Sequence, residues 1–282
     1  MDTLQFGHFG ADGKPPLNAS LVAIANGMQD GNLRRWATAM RDYGQPILLT
    51  VLLHVDRNWS LSSAVANGGI PQDASRAWLH IQSIFHQVGA TNVGWVWSPA
   101  DPANDQLYAP PVNTINAVLL SMISYPDTQW ADPLAKIQAV RLRYPSTPLL
   151  IEVSAAGPAP QKAQWLTAVG AAVRQTPGIF AMVYHEGTPD INETPAADQQ
   201  WSLDSDPQSF QAMRTVFAEI THTSPPITPV VRDTTSGANA VTLLISQQQQ
   251  LAVVFAKMVL QWETQHANVL TVHPMKTATL YG

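Results

Sequence analysis

The chain contains no cysteine among its 282 residues, so disulfides and thiolate metal sites are excluded. That absence suits a reducing cytoplasm and a simple secreted protein equally well. Basic charge is also scarce: 15 Lys and Arg against 20 Asp and Glu give a net charge of −5. The basic residues are spread along the chain, which argues against a phosphate-binding surface for nucleic acid or an anionic membrane patch. Apolar runs are short, as in Pro46–Leu53, so no membrane span is expected. Met1-Asp2-Thr3 lacks the basic and apolar regions of a secretory leader. The expectation is either a cytoplasmic protein or one whose leader, or a longer N-terminal part, is absent from this chain. Glycine-rich phosphate loops are missing as well: Gly157 and Gly187 are isolated and no G-x-G-x-x-G occurs, which weakens a dinucleotide-binding reading. No H-E-x-x-H occurs, and His80 and His86 stand six apart on one helical segment, the wrong spacing for a shared ion. Neither a metal nor a cofactor is expected.

What is present is a globular composition. With 45% hydrophobic and 12% charged residues, the chain has the material for one large core. Nine Trp admit two readings, because an indole face stacks on sugar rings and also packs well in a core. Pro46–Leu53 (PILLTVLL) is a continuous apolar run with β-branched members, suited to a strand buried on both faces. Asp73–Val88 has apolar residues at helical spacing, with Asp73 near its start and Gly89 as its stop. Strands are expected at Asn92–Trp97, Asn116–Ser124, Pro148–Val153 and Ile179–Tyr184. Helices are expected at Ala131–Tyr144, with Pro133 in its first turn, at Gln161–Gln175 and from Pro207 to Glu219.

Alternating strands and helices without hairpin turns imply a parallel sheet, closed or open. Polar and aromatic residues collect at the C-terminal ends of these strands: His54, Asp56, Asn58 and Trp59; Trp97 and Ser98; Glu152; His185 and Glu186. In a barrel, chemistry sits at those ends. The expected fold is therefore α/β, a TIM-type (β/α)8 barrel. The tail differs. Residues 223–240 are rich in Thr, Pro, Ser and Gly and read as a linker, and 241–282 as a long helix followed by short strands near Asn268–His273 and Thr277–Tyr281. The expected organisation is a barrel over 1–222, the linker, and a C-terminal segment.

Several ordered segments resemble one family. Ile24–Trp36 (IANGMQDGNLRRW), Tyr43–Pro46, the strand leading to Asn58-Trp59, Ala77-Trp78, Val88–Thr91, Asn92–Pro99 (NVGWVWSP), Pro148–Ile151 and Trp201–Asp204 resemble glycoside hydrolase family 26. These are (β/α)8 enzymes, mostly endo-β-1,4-mannanases and related β-glucanases. The likeness runs from about Ala23 to Ala218, and WVWSP after GATN is its most specific element. It implies a retaining mechanism, in which two carboxylates stand ~5–5.5 Å apart, one acid/base and one nucleophile. It also implies secretion, although no leader is present.

The expected carboxylates are not in place. Aligned without gaps, the family motif His-Glu-Met-Asn-Gly-Asn-Trp falls on Leu53–Trp59, so His54 takes the acid/base position. The nucleophile pattern falls on Pro148–Val153, so Val153 takes the nucleophile position and Glu152 stands one residue early. A one-residue shift turns a strand side chain to the other face, so Glu152 can serve only if the strand is shortened or bulged there. The strand Asn116–Ser124 also lacks the family's Trp-Val-Gly-x-Asp-Gly-Tyr pattern, with Tyr125 just beyond it.

The candidate catalytic residues are His54, Asp56 and Glu152, each with an ordinary alternative. His54 is either a general acid or a hydrogen-bonded mouth histidine. Asp56 is either a substitute carboxylate on the same side as His54 or a turn residue beside Arg57. Glu152 is either a nucleophile or a paired carboxylate between barrel and helices. The candidate carbohydrate-binding residues are Asn58, Trp59, Trp97, Tyr125, His185, Glu186 and Trp201, with core packing the alternative for the tryptophans.

Three functions stand: a degenerate barrel that binds or organises a β-mannan or β-glucan, an active glycosidase using shifted carboxylates, or a structural assembly subunit. The family has two strands and helices before the region matching Thr3–Gly10, where this chain starts, so the barrel is expected to be incomplete or permuted at its N-terminus. Exposed strand edges would be costly against a domain stability of ~5–15 kcal/mol. Either 241–282 closes the barrel, or a partner chain, a second copy or a longer parent polypeptide does.

Overall fold

The computed structural model describes residues 2–4, 20–57, 63–65, 68–125, 130–184, 201–203 and 206–223. The segments expected as linker and C-terminal helix lie outside these residues, apart from Thr223, as do both short strands expected after them. The described chain divides into two compact units. The first holds β1 (Asp2–Leu4), α1 (Leu21–Ala25), α2 (Asp30–Tyr43), β2 (Ile47–Val51), α3 (Gln72–Val88) and β3 (Val93–Trp97). The second holds β4 (Ala117–Ser124), α4 (Pro133–Arg143), β5 (Leu149–Ala155), α5 (Ala159–Gln175), β6 (Ile179–Tyr184) and α6 (Pro207–Thr223).

Within the first unit the strands lie in the order β1-β2-β3, and each pair is parallel. Local chemistry sets its elements. The Ser20 hydroxyl accepts from the Ala23 amide at 3.1 Å and starts α1. Helix α2 turns Leu33, Trp36, Ala37 and Met40 inward, a 3, 4, 7 spacing hidden among charged residues, and ends at Gly44 with φ 70°. Helix α3 buries Ala74, Ala77, Trp78, Ile81, Ile84 and Phe85 on one face and stops at Gly89, φ 82°. Trp78 lies edge-on to Trp95 (centroids 5.9 Å apart) and to Trp97 (5.5 Å), and Phe85 meets Trp95 at 5.1 Å. Such edge-to-face pairs each add about 0.5–1.5 kcal/mol beyond the area they bury.

The second unit repeats the scheme with parallel β4-β5-β6. Asp132 accepts from the Leu134 amide at 3.0 Å and Pro133 occupies the first turn, so α4 begins where the sequence indicates. Helices α5 and α6 meet at Gly170, where a Cβ would lie 2.7 Å from Val216 Cγ1. Only a residue without a side chain permits that approach.

Three boundaries differ from expectation in ways that matter. Strand β2 ends at Val51, two residues before Leu53, because the chain turns at Leu52. Strand β5 continues to Ala155, two residues beyond Val153. Helix α6 continues to Thr223 rather than Glu219.

Candidate functional site

In the first unit the chain leaving β2 enters a tight turn instead of extending to Asp56. Leu52 and His54 both take left-handed backbone conformations, with φ 58° and 53°. Each non-glycine residue held there costs on the order of 1–2 kcal/mol, so the surroundings must enforce it. Four hydrogen bonds do so. The His54 amide donates to the Ser98 carbonyl at 2.9 Å, Arg57 N to His54 O at 3.1 Å, and Ala64 N to Val55 O at 3.4 Å. The Asp56 carboxylate accepts from the Ala100 amide at 2.6 Å. His54 and Asp56 therefore do not share one side of a persisting strand, and Asp56 follows the other reading left open by the sequence, that of a turn residue. They sit in a turn that Asp56 ties to the segment after β3.

Around that turn are two fully buried hydroxyls, Thr50 Oγ1 and Ser98 Oγ, with no hydrogen-bond partner among the described residues. Thr50 pairs with Val96 in the ladder, and Ser98 lies two residues beyond Val96, so both belong to the same sheet face at the strand ends. Buried hydroxyls are ordinarily satisfied by protein or by ordered water. Ser98 is among the polar strand-end residues visible in the sequence, whereas a Thr within an apolar strand reads as β-propensity.

Trp97 has gone to the core. It is 0% exposed, and its indole N–H donates to Asp105 Oδ2 at 2.5 Å. Six of the seven Trp among the described residues, Trp36, Trp78, Trp95, Trp97, Trp165 and Trp201, are buried. Richness in Trp is here mainly a packing signal.

In the second unit, β4 and β5 pair without interruption from Val118↔Leu149 to Ser124↔Ala155. No bulge interrupts this ladder at Glu152, so Glu152 and Val153 face opposite sides of the strand. Val153 is 0% exposed and opposite Met122. Glu152 accepts a hydrogen bond of 2.7 Å from Ser121, and Lys136 of α4 donates to the Ser121 carbonyl at 3.2 Å. Glu152 thus stands three residues before the strand end, engaged by its neighbours.

At the C-terminal ends of the same strands lies an aromatic group. The Tyr184 hydroxyl, at the end of β6, donates to the Trp201 carbonyl at 2.6 Å and lies 3.2 Å from the Ala155 carbonyl. Half-buried Tyr125 meets the Trp201 ring edge-on at 5.2 Å. Trp201 is 1% exposed, so protein covers both of its faces. The fully buried Lys162 ammonium of α5 donates to the Ser202 carbonyl at 2.7 Å and pins the segment that carries Trp201. The Ser124 hydroxyl, also buried at this end, has no partner among the described residues. Asn58, Trp59, His185 and Glu186 lie outside the described residues. No described helix is long and apolar enough to cross a membrane, and no three described His, Asp or Glu side chains gather as metal ligands would.

No protein-family model matches the sequence. Endoglucanase H of Acetivibrio thermocellus is 26% identical over 219 residues, which cover 71% of this chain and 23% of that protein. A GH26 β-mannanase from Bacteroides ovatus superimposes with a TM-score of 0.51 at 12% identity, over 72% of this chain and 61% of its own. A Bacillus subtilis mannanase, BCman, gives 0.45 at 16% identity over 70% and 62%. The chain spans less than a quarter of the curated relative and about three-fifths of the β-mannanase. The first superposition shows the fold: strands and helices are arranged as in a (β/α) barrel of glycoside hydrolase type.

Proposed function

We propose that this glycoside hydrolase family 26-like barrel binds a β-linked polysaccharide of the mannan or glucan class and does not hydrolyse it. One observation carries the reading. Val153, which the ungapped family alignment sets at the nucleophile position, is buried in an unbroken β4–β5 ladder, and Glu152 faces the opposite side, bonded to Ser121. Retaining hydrolysis needs two carboxylates ~5–5.5 Å apart. At the acid/base position the family's Glu is replaced by His54, in a strained turn whose carboxylate, Asp56, holds a backbone amide. A histidine alone supplies no glycosyl-enzyme intermediate.

Binding is supported by what the strand ends keep. In the second unit, half-exposed Tyr125 stands beside the pinned Trp201 segment at the strand ends. Neutral sugars pack against exposed aromatic side chains of this kind. The net charge of −5 also suits an uncharged glycan better than an acidic one.

Affinity electrophoresis in gels containing mannan, glucomannan or mixed-linkage β-glucan, run beside a reducing-end assay, tests both halves. Retardation in at least one gel with no release of reducing ends is expected. Turnover that disappears in Glu152→Gln refutes the loss of hydrolysis. Equal migration in every gel refutes glycan binding and favours an assembly role.

A further inference from the structure

Trp130 is the one Trp among the described residues that is not buried. An indole has more apolar area to hide than most side chains, and the other six hide it. Trp130 keeps part of its surface open to solvent although its place is fixed from two sides. Trp165, in the second turn of α5, meets the Trp130 ring with centroids 5.5 Å apart and planes at 64°. The Trp165 indole N–H also donates to the Ala131 carbonyl at 3.0 Å. On the far side, Asp132 caps α4 by accepting from the Leu134 amide at 3.0 Å, with Pro133 in the first turn. An aromatic side chain braced in this way loses little further freedom when a ligand covers it, which favours binding.

The position in the fold matches that use. Trp130 lies in the connection from β4 to α4, the connection that begins with Tyr125, and so beyond the C-terminal end of β4. Helix α5 follows β5, so its early turns, with Trp165, stand at the C-terminal end of β5. Loops at that end of the strands are where barrels of this type meet their ligands. Five chain steps separate Tyr125 from Trp130, which limits their backbone separation to about 18 Å. One oligosaccharide can cover that span.

We propose that Trp130, braced by Trp165, is a second aromatic contact for the glycan, carrying the binding surface from Tyr125 towards the first turns of α4 and α5. The proposal rests on the glycan-binding reading above. The occupant is the C–H face of a pyranose ring in a neutral β-linked chain. A protein partner would need a wider apolar patch with few charges at its centre. The residues next along the chain, Ala131 and Asp132, are exposed, one small and one charged. That mixture suits a sugar, which is apolar on its ring face and hydroxylated at its edge.

The test follows the indole N–H resonances of the whole chain by NMR, with Trp130→Phe identifying the resonance of interest. The probes are mannohexaose and cellohexaose, with α-linked maltohexaose as control. The Trp130 resonance is expected to move saturably with at least one β-linked probe and not with maltohexaose, while that of Trp97, buried in the first unit, stays in place. Trp130→Ala should raise the half-saturating concentration at least about fivefold, and Trp130→Phe less, since it keeps a ring. The resonance shift is read in the unaltered chain, so it stands even if Trp130→Ala folds poorly. Saturable binding with the Trp130 resonance unmoved overturns this proposal and leaves the glycan-binding reading intact. An equal response to maltohexaose overturns the assignment to a β-linked chain. No saturable change at any resonance with either β-linked probe overturns both readings.

Discussion

Ser121 and Glu152 stand directly opposite each other in the β4–β5 ladder, and the Ser121 hydroxyl donates to the Glu152 carboxylate at 2.7 Å. A hydrogen bond to a charged group contributes about 1.5–3 kcal/mol. Ser121→Ala should therefore lower the urea midpoint by an amount equivalent to about 2 kcal/mol with an unchanged slope. Combined with Glu152→Gln, the double variant should lose less than the sum of the singles. Additive losses would show that the two groups are not coupled.

The left-handed turn makes a second prediction. Asn tolerates φ near 53° where a β-branched residue does not. His54→Asn should be more stable than His54→Val by about 1–2 kcal/mol, measured by thermal or chemical denaturation. Equal stability of the two variants contradicts the turn as described.

Gly170 gives a third. On helix propensity alone, Gly→Ala in the middle of α5 should stabilise by about 1 kcal/mol. Contact with Val216 reverses the sign, because overpacking typically costs about 1–3 kcal/mol. Gly170→Ala should lower the melting temperature, and adding Val216→Ala should recover part of the loss. A rise in melting temperature for the single variant refutes the close approach of α5 and α6.

Lys162 gives a fourth. Lys162→Met preserves the buried stem but removes the donor to Ser202. Stability should fall by about 1–3 kcal/mol, and amide exchange at Ser202 and Leu203 should accelerate relative to β5. Unchanged exchange there would mean that the segment is held by other contacts.

The strand–helix alternation was legible because buried parallel strands read as continuous apolar runs and the helices carry clear stops at Gly89 and starts at Asp132. Helix α2 was passed over although its 33, 36, 37, 40 spacing is present, because charged residues surround it. The site was less legible for a different reason. Whether Glu152 could act depended on where β5 ends, and a strand end is fixed by pairing with β4, which no local pattern encodes. The turn at Leu52 was likewise hidden, since neither Leu nor His announces a left-handed backbone. Thr50 looks unremarkable in sequence, and only its burial without a partner among the described residues distinguishes it.

The seven-pair ladder between β4 and β5 also sets what a mutation at its centre can achieve. One nucleotide step turns any Val codon into one for Asp or Glu, so in codon space a carboxylate at position 153 is always close at hand. In the folded chain it is remote, because that carboxylate would arrive at a fully enclosed site opposite Met122, with no solvent exposure and no cation provided for it. Shifting Glu152 into place instead means slipping every pair of the ladder together. At position 153 a carboxylate is therefore a short step in sequence and a long one in free energy.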